Sequence, residues 1–255
     1  MIRYHKNSLK SKYKNLVVSG CSFTHNEHSS HVTWGNTLAY WTGMTISNHA
    51  VNGAGNGHIA DSIILFLEKN KPNPDDTLII VMWSTLYRVD WITDRKIKKD
   101  FDHAKHTYHY DSHNELSGLM LHNKEKSHFL DTGNNYRKYQ SEYSYALKNW
   151  LAMESLSNYF TAHGYQYLYT SIYDLNRNNH GLYNKILAEI DLTIDQSSWL
   201  ELDSDNYLGA FAKNKNMVAE DKWHPTPECQ EIWTQDILIP MLQKKQIINN
   251  EPIQI

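Results

Sequence analysis

Hydrophobic and polar positions along the chain fall into two alternating kinds of run. The block "NLVVSG", from Asn15 to Gly20, is short, β-branched and closed by a turn residue, so residues 16–20 predict a first buried strand. In residues 33–44, Trp34, Leu38 and Trp41 recur at helical spacing, and Gly43 stands where a helix would stop. "TISNHAV" predicts a second strand, and the Gly-rich turn "NGAGNGH" then opens a helix over residues 59–70. After the Pro-bearing connection "KPNPDD", the uninterrupted "TLIIVMWS" has the pattern of a parallel strand covered on both faces.

The pattern then breaks. Residues 87–135 are dominated by charges, His and Asn with scattered aromatics and no sustained period, which predicts an insertion or lid beside the sheet. Residues 136–164 are helical, with Tyr143, Leu147, Trp150, Leu151, Glu154, Leu156 and Phe160 approximating one buried stripe and Gly164 offering a C-terminal cap. "YQYLYTSIY" predicts a fourth strand. The stretch 176–217 is ambiguous, with a short helix around 183–190 and a fifth strand near 199–202, and a last helix runs over 227–244 before a loose tail, "NNEPIQI". Strands alternating with helices imply one domain over residues 1–255. Its expected form is a three-layer α/β/α sandwich with a mostly parallel, doubly wound (flavodoxin-like) sheet of about five strands and right-handed crossovers.

Composition narrows the function. The 25 basic and 28 acidic residues leave a net charge of -3 across 255 residues, no field for gathering nucleic acid. No run approaches the roughly 20 apolar residues of a membrane span. Two cysteines, Cys21 and Cys229, and a polar start, "IRYHKNSLK", without the apolar core of a signal peptide, predict a reduced, cytoplasmic protein. The 15 His, 17 Tyr and 8 Trp beside 11 Gly give a chain rich in rings that stack and hydrogen-bond, a surface suited to sugars and other polar ligands.

The first strand carries the chemistry. A strand that stops at a Gly and turns sharply presents the next side chain at the carboxyl edge of the sheet, where ligands of open α/β sheets bind. Here that side chain is Ser22. A serine hydroxyl needs a base to take its proton, and the base needs a carboxylate to fix its tautomer. "EDKWHPT" supplies both, Asp221 and His224, in one loop before the last helix. Donors for a developing oxyanion are available from the Gly53 backbone N–H and from the amides of Asn52 and Asn56, and "WST" at the end of the third strand reaches the same edge.

Taken together these blocks resemble the SGNH family, relatives of the GDSL esterases and lipases. Gly20, Cys21 and Ser22 match its G-D-S block, with Cys in place of Asp; Asn48 to Gly53 match N-x-G-x-x-G with Ala50 at the first Gly; Asp221 and His224, followed by Pro225, match D-x-x-H. The third block, G-x-N-D in the family, reads Met82, Trp83, Ser84, Thr85, so Ser84 or Thr85 stands where the family has its oxyanion Asn. The middle of the chain agrees only in the order of its elements. The resemblance implies an acyl-enzyme ester hydrolase with Ser22, His224 and Asp221 as catalytic residues and Ser22, Gly53, Ser84 and Asn56 around the oxyanion, needing no cofactor and no metal. The expected substrate is a small-molecule or carbohydrate ester, the ring-rich insertion favouring a polar O-acetylated one. The alternatives on the same scaffold are a non-catalytic glycan- or partner-binding protein and an acyltransferase.

Three other readings carry less. Cys21 as a thiol nucleophile competes with the ordinary role of a buried Cys at a strand end. "GAGNGH" suggests a phosphate cradle, but His58 falls where G-x-G-x-x-G needs its last Gly. His103, His106, His109, Asp111 and His113 are ligand types within short reach, but no second set with zinc-like spacing faces them.

Overall fold

The computed structural model describes residues 6, 8–25, 32–86, 88–94, 107–109, 116–121, 142–175 and 196–250. A three-residue strand, β1 (Leu9–Ser11), precedes β2 (Asn15–Ser19), the β-branched block that ends before Gly20. The first helix, α1 (Trp34–Thr42), starts on the Thr33 hydroxyl, which accepts from the Asn36 N–H. It ends at Gly43 in the left-handed conformation, φ 72°, as its sequence predicts. Next come β3 (Thr45–Asn48), α2 (Asn56–Asn70) and β4 (Thr77–Trp83). All seven residues of β4 are buried, the signature of a strand with a layer on each side.

The parallel sheet has the order β3-β2-β4-β8, where β8 is Gln166–Ser171. Leu16 sits opposite Ile46 on one side and Leu78 on the other, and Ile80 opposite Leu168. The chain moves outward from β2 to β3, then crosses back to β4, so a topological switch point lies between the carboxyl ends of β2 and β4. Helices cover both faces. α2 packs with α3 (Glu142–His163), and α1 packs with α5 (Pro227–Trp233), which also touches α4 (Leu208–Asn214).

Several segments differ from the sequence reading. The fifth strand near 199–202 shrinks to a single parallel bridge between Trp199 and Tyr169, followed by a hydrogen bond from Leu200 N to the Tyr169 carbonyl. The ambiguous stretch contains α4, a helix the sequence reading did not assign. The C-terminal helix is interrupted by a π turn (Thr234–Leu238) and resumes as α6 (Ile239–Lys244). Pro240 accounts for the change, because its ring removes one N–H and crowds the carbonyl four residues back, which a wider turn relieves. The first two residues of the tail read as loose, Asn249 and Asn250, belong to β9 (Ile248–Asn250), which pairs antiparallel with β1.

Within 87–135 the chain forms a three-stranded antiparallel sheet, β5 (Val89–Asp94), β7 (Leu116–Leu121) and β6 (Thr107–His109), in the order β5-β7-β6. His109 belongs to β6, whereas His103, His106, Asp111 and His113 lie outside the described residues, as do the helix read at 183–190 and the start of the helix read from 136. Among the described residues no group of His, Cys, Asp or Glu is arranged to hold a metal, and no helix is long and apolar enough to cross a membrane.

Candidate active site

Gly20 is forced by crowding. A Cβ there would fall 2.3 Å from the Thr24 hydroxyl and 3.0 Å from the Met82 carbonyl. With nothing but hydrogen at that point, the chain leaves β2 in a tight turn, in which the N–H groups of Thr24 and His25 both donate to the Cys21 carbonyl at 2.9 Å. The turn buries Cys21 and Phe23 and leaves Ser22 half-buried at the switch point. The end of β3 locks it in place. Asn48 donates to the Thr24 carbonyl at 2.9 Å and accepts from the Ala50 N–H at 2.9 Å, while His25 Nδ1 lies 2.8 Å from the Ala50 carbonyl oxygen.

The opposite half of the site is a hairpin. Thr226 N donates to the Met217 carbonyl at 2.9 Å, Ala219 N to the His224 carbonyl at 2.7 Å, and Val218 bridges Pro225. Its turn passes through Lys222 in the left-handed region, φ 63°, a conformation unusual for a residue with a Cβ. Asp221 organises the tip. Its Oδ1 accepts from the N–H groups of Trp223, 2.8 Å, and His224, 3.0 Å, and its Oδ2 meets His224 Nδ1. The far nitrogen, His224 Nε2, lies 2.7 Å from Ser22 Oγ. Thus the structure brings together Ser22, His224 and Asp221, residues separated by up to 202 positions, in one hydrogen-bonded line. Partial burial raises the Asp221 pKa, but the bond to the His224 ring, the two backbone N–H groups and the attraction of the ring outweigh it and hold the carboxyl at about 2.

The turn after β3 places Gly53 in the left-handed region, φ 79°, where a side chain would be strained. Ala54 N donates to the Val51 carbonyl, closing that turn at 3.0 Å. Asn56 does not point an amide at open space. It is fully buried, its Oδ1 accepting from Ser84 N at 2.8 Å and its Nδ2 donating to the Ser84 carbonyl at 3.4 Å. Ser84 Oγ is buried with no hydrogen-bond partner among the described residues. Sequence reasoning missed Asp90, whose carboxylate accepts from Gly55 N at 2.8 Å and His58 N at 2.9 Å, capping α2 from β5. Gly55 is needed for this contact, because a Cβ would fall 2.5 Å from Asp90 Oδ2.

No protein-family model matches the chain, and no curated protein matches it. Among solved structures, it is similar to the psychrotrophic esterase EstA from Pseudoalteromonas sp., captured with monoethylphosphonate. The two are 9% identical over 91% of this chain and 98% of that one, with a TM-score of 0.51. The protein YXIM of Bacillus subtilis is 10% identical over 93% of this chain, also with a TM-score of 0.51, but this chain spans only 58% of that one. The architecture is therefore a three-layer α/β/α sandwich, the fold it shares with these structures, with Ser22 at the sheet's switch point. This is the fold that the resemblance to the SGNH family implies.

Proposed function

We propose that the protein is a serine ester hydrolase acting through an acyl-enzyme. The observation that carries this reading is the 2.7 Å contact between Ser22 Oγ and His224 Nε2, with Asp221 on the other ring nitrogen. Ser22 Oγ attacks the acyl carbon of an ester while its proton passes to His224 Nε2, and the C–O bond to the alcohol breaks as that proton moves to the leaving oxygen. Water then attacks the acyl-Ser22 ester, giving its proton to His224, and Ser22 recovers a proton as the acid departs. Asp221, ionised throughout, fixes the proton on Nδ1 and stabilises the imidazolium.

In this proposal the N–H groups of Ser22 and Gly53 receive the oxyanion, and Ser84, whose buried hydroxyl has no partner among the described residues, stands where the family has its third donor, Asn. Asn56 contributes by holding the Ser84 main chain. A donor of this kind is worth on the order of 10²–10³ in rate. The esterase activity named for EstA supports an ester substrate, and the ring-rich chain supports a polar or carbohydrate ester, with O-acetyl the leading case. Transfer of the acyl group to a second alcohol would use the same three residues. The altered third block favours a second reading, a glycan- or partner-binding protein without catalysis.

The test is reaction with a fluorophosphonate, followed by intact mass. Wild type takes one adduct, Ser22→Ala takes none, and His224→Ala reacts at least about 10²-fold more slowly. A folded wild type that takes no adduct, or an adduct that survives in Ser22→Ala, overturns the acyl-enzyme reading.

A further inference from the structure

Trp223 is the most exposed of the large apolar side chains among the described residues, at 66%. It is not on a loose loop. Its N–H is bonded to Asp221, and its neighbour His224 is held at both the ring and the backbone. An indole kept in water on a hydrogen-bonded hairpin, one residue from the proposed general base, leaves a large flat face unburied.

A cation sits next to it. Lys213 Nζ, on α4, lies 4.8 Å from the centroid of the Tyr173 ring and 5.5 Å from that of Trp223. No carboxylate pairs with this ammonium among the described residues. The ring quadrupoles hold the charge in position without neutralising it. Tyr173 is fixed in turn: Ser171 Oγ donates to its carbonyl at 2.6 Å, and a Cβ on Gly209 of α4 would fall 2.6 Å from its ring. Tyr173 meets the edge of Phe23 at 6.4 Å, and Phe23 lies 5.5 Å from the His224 ring. A continuous line of ring contacts therefore joins the ammonium to the proposed catalytic imidazole.

We propose that Trp223, Tyr173 and Lys213 form a substrate subsite for an acidic saccharide, Trp223 stacking on the sugar ring and Lys213 receiving its carboxylate. This rests on the ester-hydrolase reading and sharpens it to esters of carboxylate-bearing sugars. The chain's net charge of -3 gives an anionic substrate no long-range attraction, so its selection rests on the local contact with Lys213. Lys213 then acts as a point cation whose stem is already ordered by two rings, so less side-chain entropy is lost when the anion arrives.

The experiment uses Ser22→Ala protein and two probes that differ only at C6, methyl β-glucuronide and methyl β-glucoside, with affinities from ligand-observed saturation-transfer NMR. The expected result is at least about tenfold tighter binding of the glucuronide, roughly 1.4 kcal/mol. That preference disappears in Lys213→Gln and persists in Lys213→Arg, while Trp223→Ala weakens both probes. Equal binding, binding of neither probe, or a preference that survives Lys213→Gln overturns the subsite. Fluorophosphonate labelling of wild type separates the two readings. Labelling without a glycoside preference refutes the subsite alone, and a preference without labelling refutes the nucleophile alone.

Discussion

His58, on the first turn of α2, is 1% exposed, and burial pushes its imidazole down to about 3. The neutral form is the one that folds. Below pH 6.5 the unfolded chain binds a proton that the folded chain does not, so stability falls as pH drops from 6.5 towards 3, by a few kcal/mol in all. Urea midpoints at pH 7, 5 and 4 should fall in that order, and His58→Gln should flatten the trend. Asp221 acts in the same sense but at lower pH. Its folded value, about 2, lies below the usual 3.8, so its contribution is complete above 3.8 and is lost only as pH falls through about 2. At any pH where the protein would be assayed, the carboxylate on His224 is charged.

At the scale of elements, α2 depends on a carboxylate that is 34 positions from its first residue. Asp90 satisfies the N–H groups of Gly55, at the cap, and of His58, in the first turn, and it ties β5 to the turn that presents Gly53. Asp90→Ala should lower stability by about 1–2 kcal/mol, and Asp90→Asn, which keeps an acceptor, by less. Fluorophosphonate labelling should slow in Asp90→Ala as the turn loosens, a rate that mass spectrometry reads directly. This contact also shows where the sequence stops being legible. Gly20–Ser22, α1 with its Gly43 stop and the all-apolar β4 are each written in neighbouring residues, so they can be read in order. The start of α2 at Asn56, rather than residue 59, is set from β5, and the pairing of Asn56 with Ser84 is set by the register of a distant strand end. "VDWITD" in β5 has no clean alternation, and three residues in β1 or β9 are too few to show any period. Ser22, His224 and Asp221 were legible because each sits at a turn with its own local signal. Trp223 stood in the same quoted stretch, but nothing nearby in sequence announces Lys213.

At the scale of the molecule, the serine turn and the histidine hairpin belong to opposite ends of the chain and are clamped by one residue. Trp34 donates its backbone N–H to Gln230 Oε1 on α5 at 3.0 Å and its indole N–H to Thr24 Oγ1, in the Ser22 turn, at 3.1 Å, with its ring edge-on to Trp233 at 6.3 Å. Gln230→Leu would leave the Trp34 N–H buried without an acceptor, a cost of about 1–3 kcal/mol. The expected signature is a lower urea midpoint together with slower labelling of Ser22, because the two halves of the site lose their common anchor; a stable variant that labels at the wild-type rate would assign the clamp to neither role.

The same separation gives the molecule a history. A ribosome makes Ser22 first and His224 only 202 residues later, on the order of ten to forty seconds at roughly 5–20 residues per second. Through that interval the nascent chain carries a hydroxyl with no base beside it, as inert as any other serine in the cell. Under the acyl-enzyme reading, reactivity arrives only once His224 has been made, when β2, β3 and β4 already exist. A protein interrupted before that point is silent rather than indiscriminate.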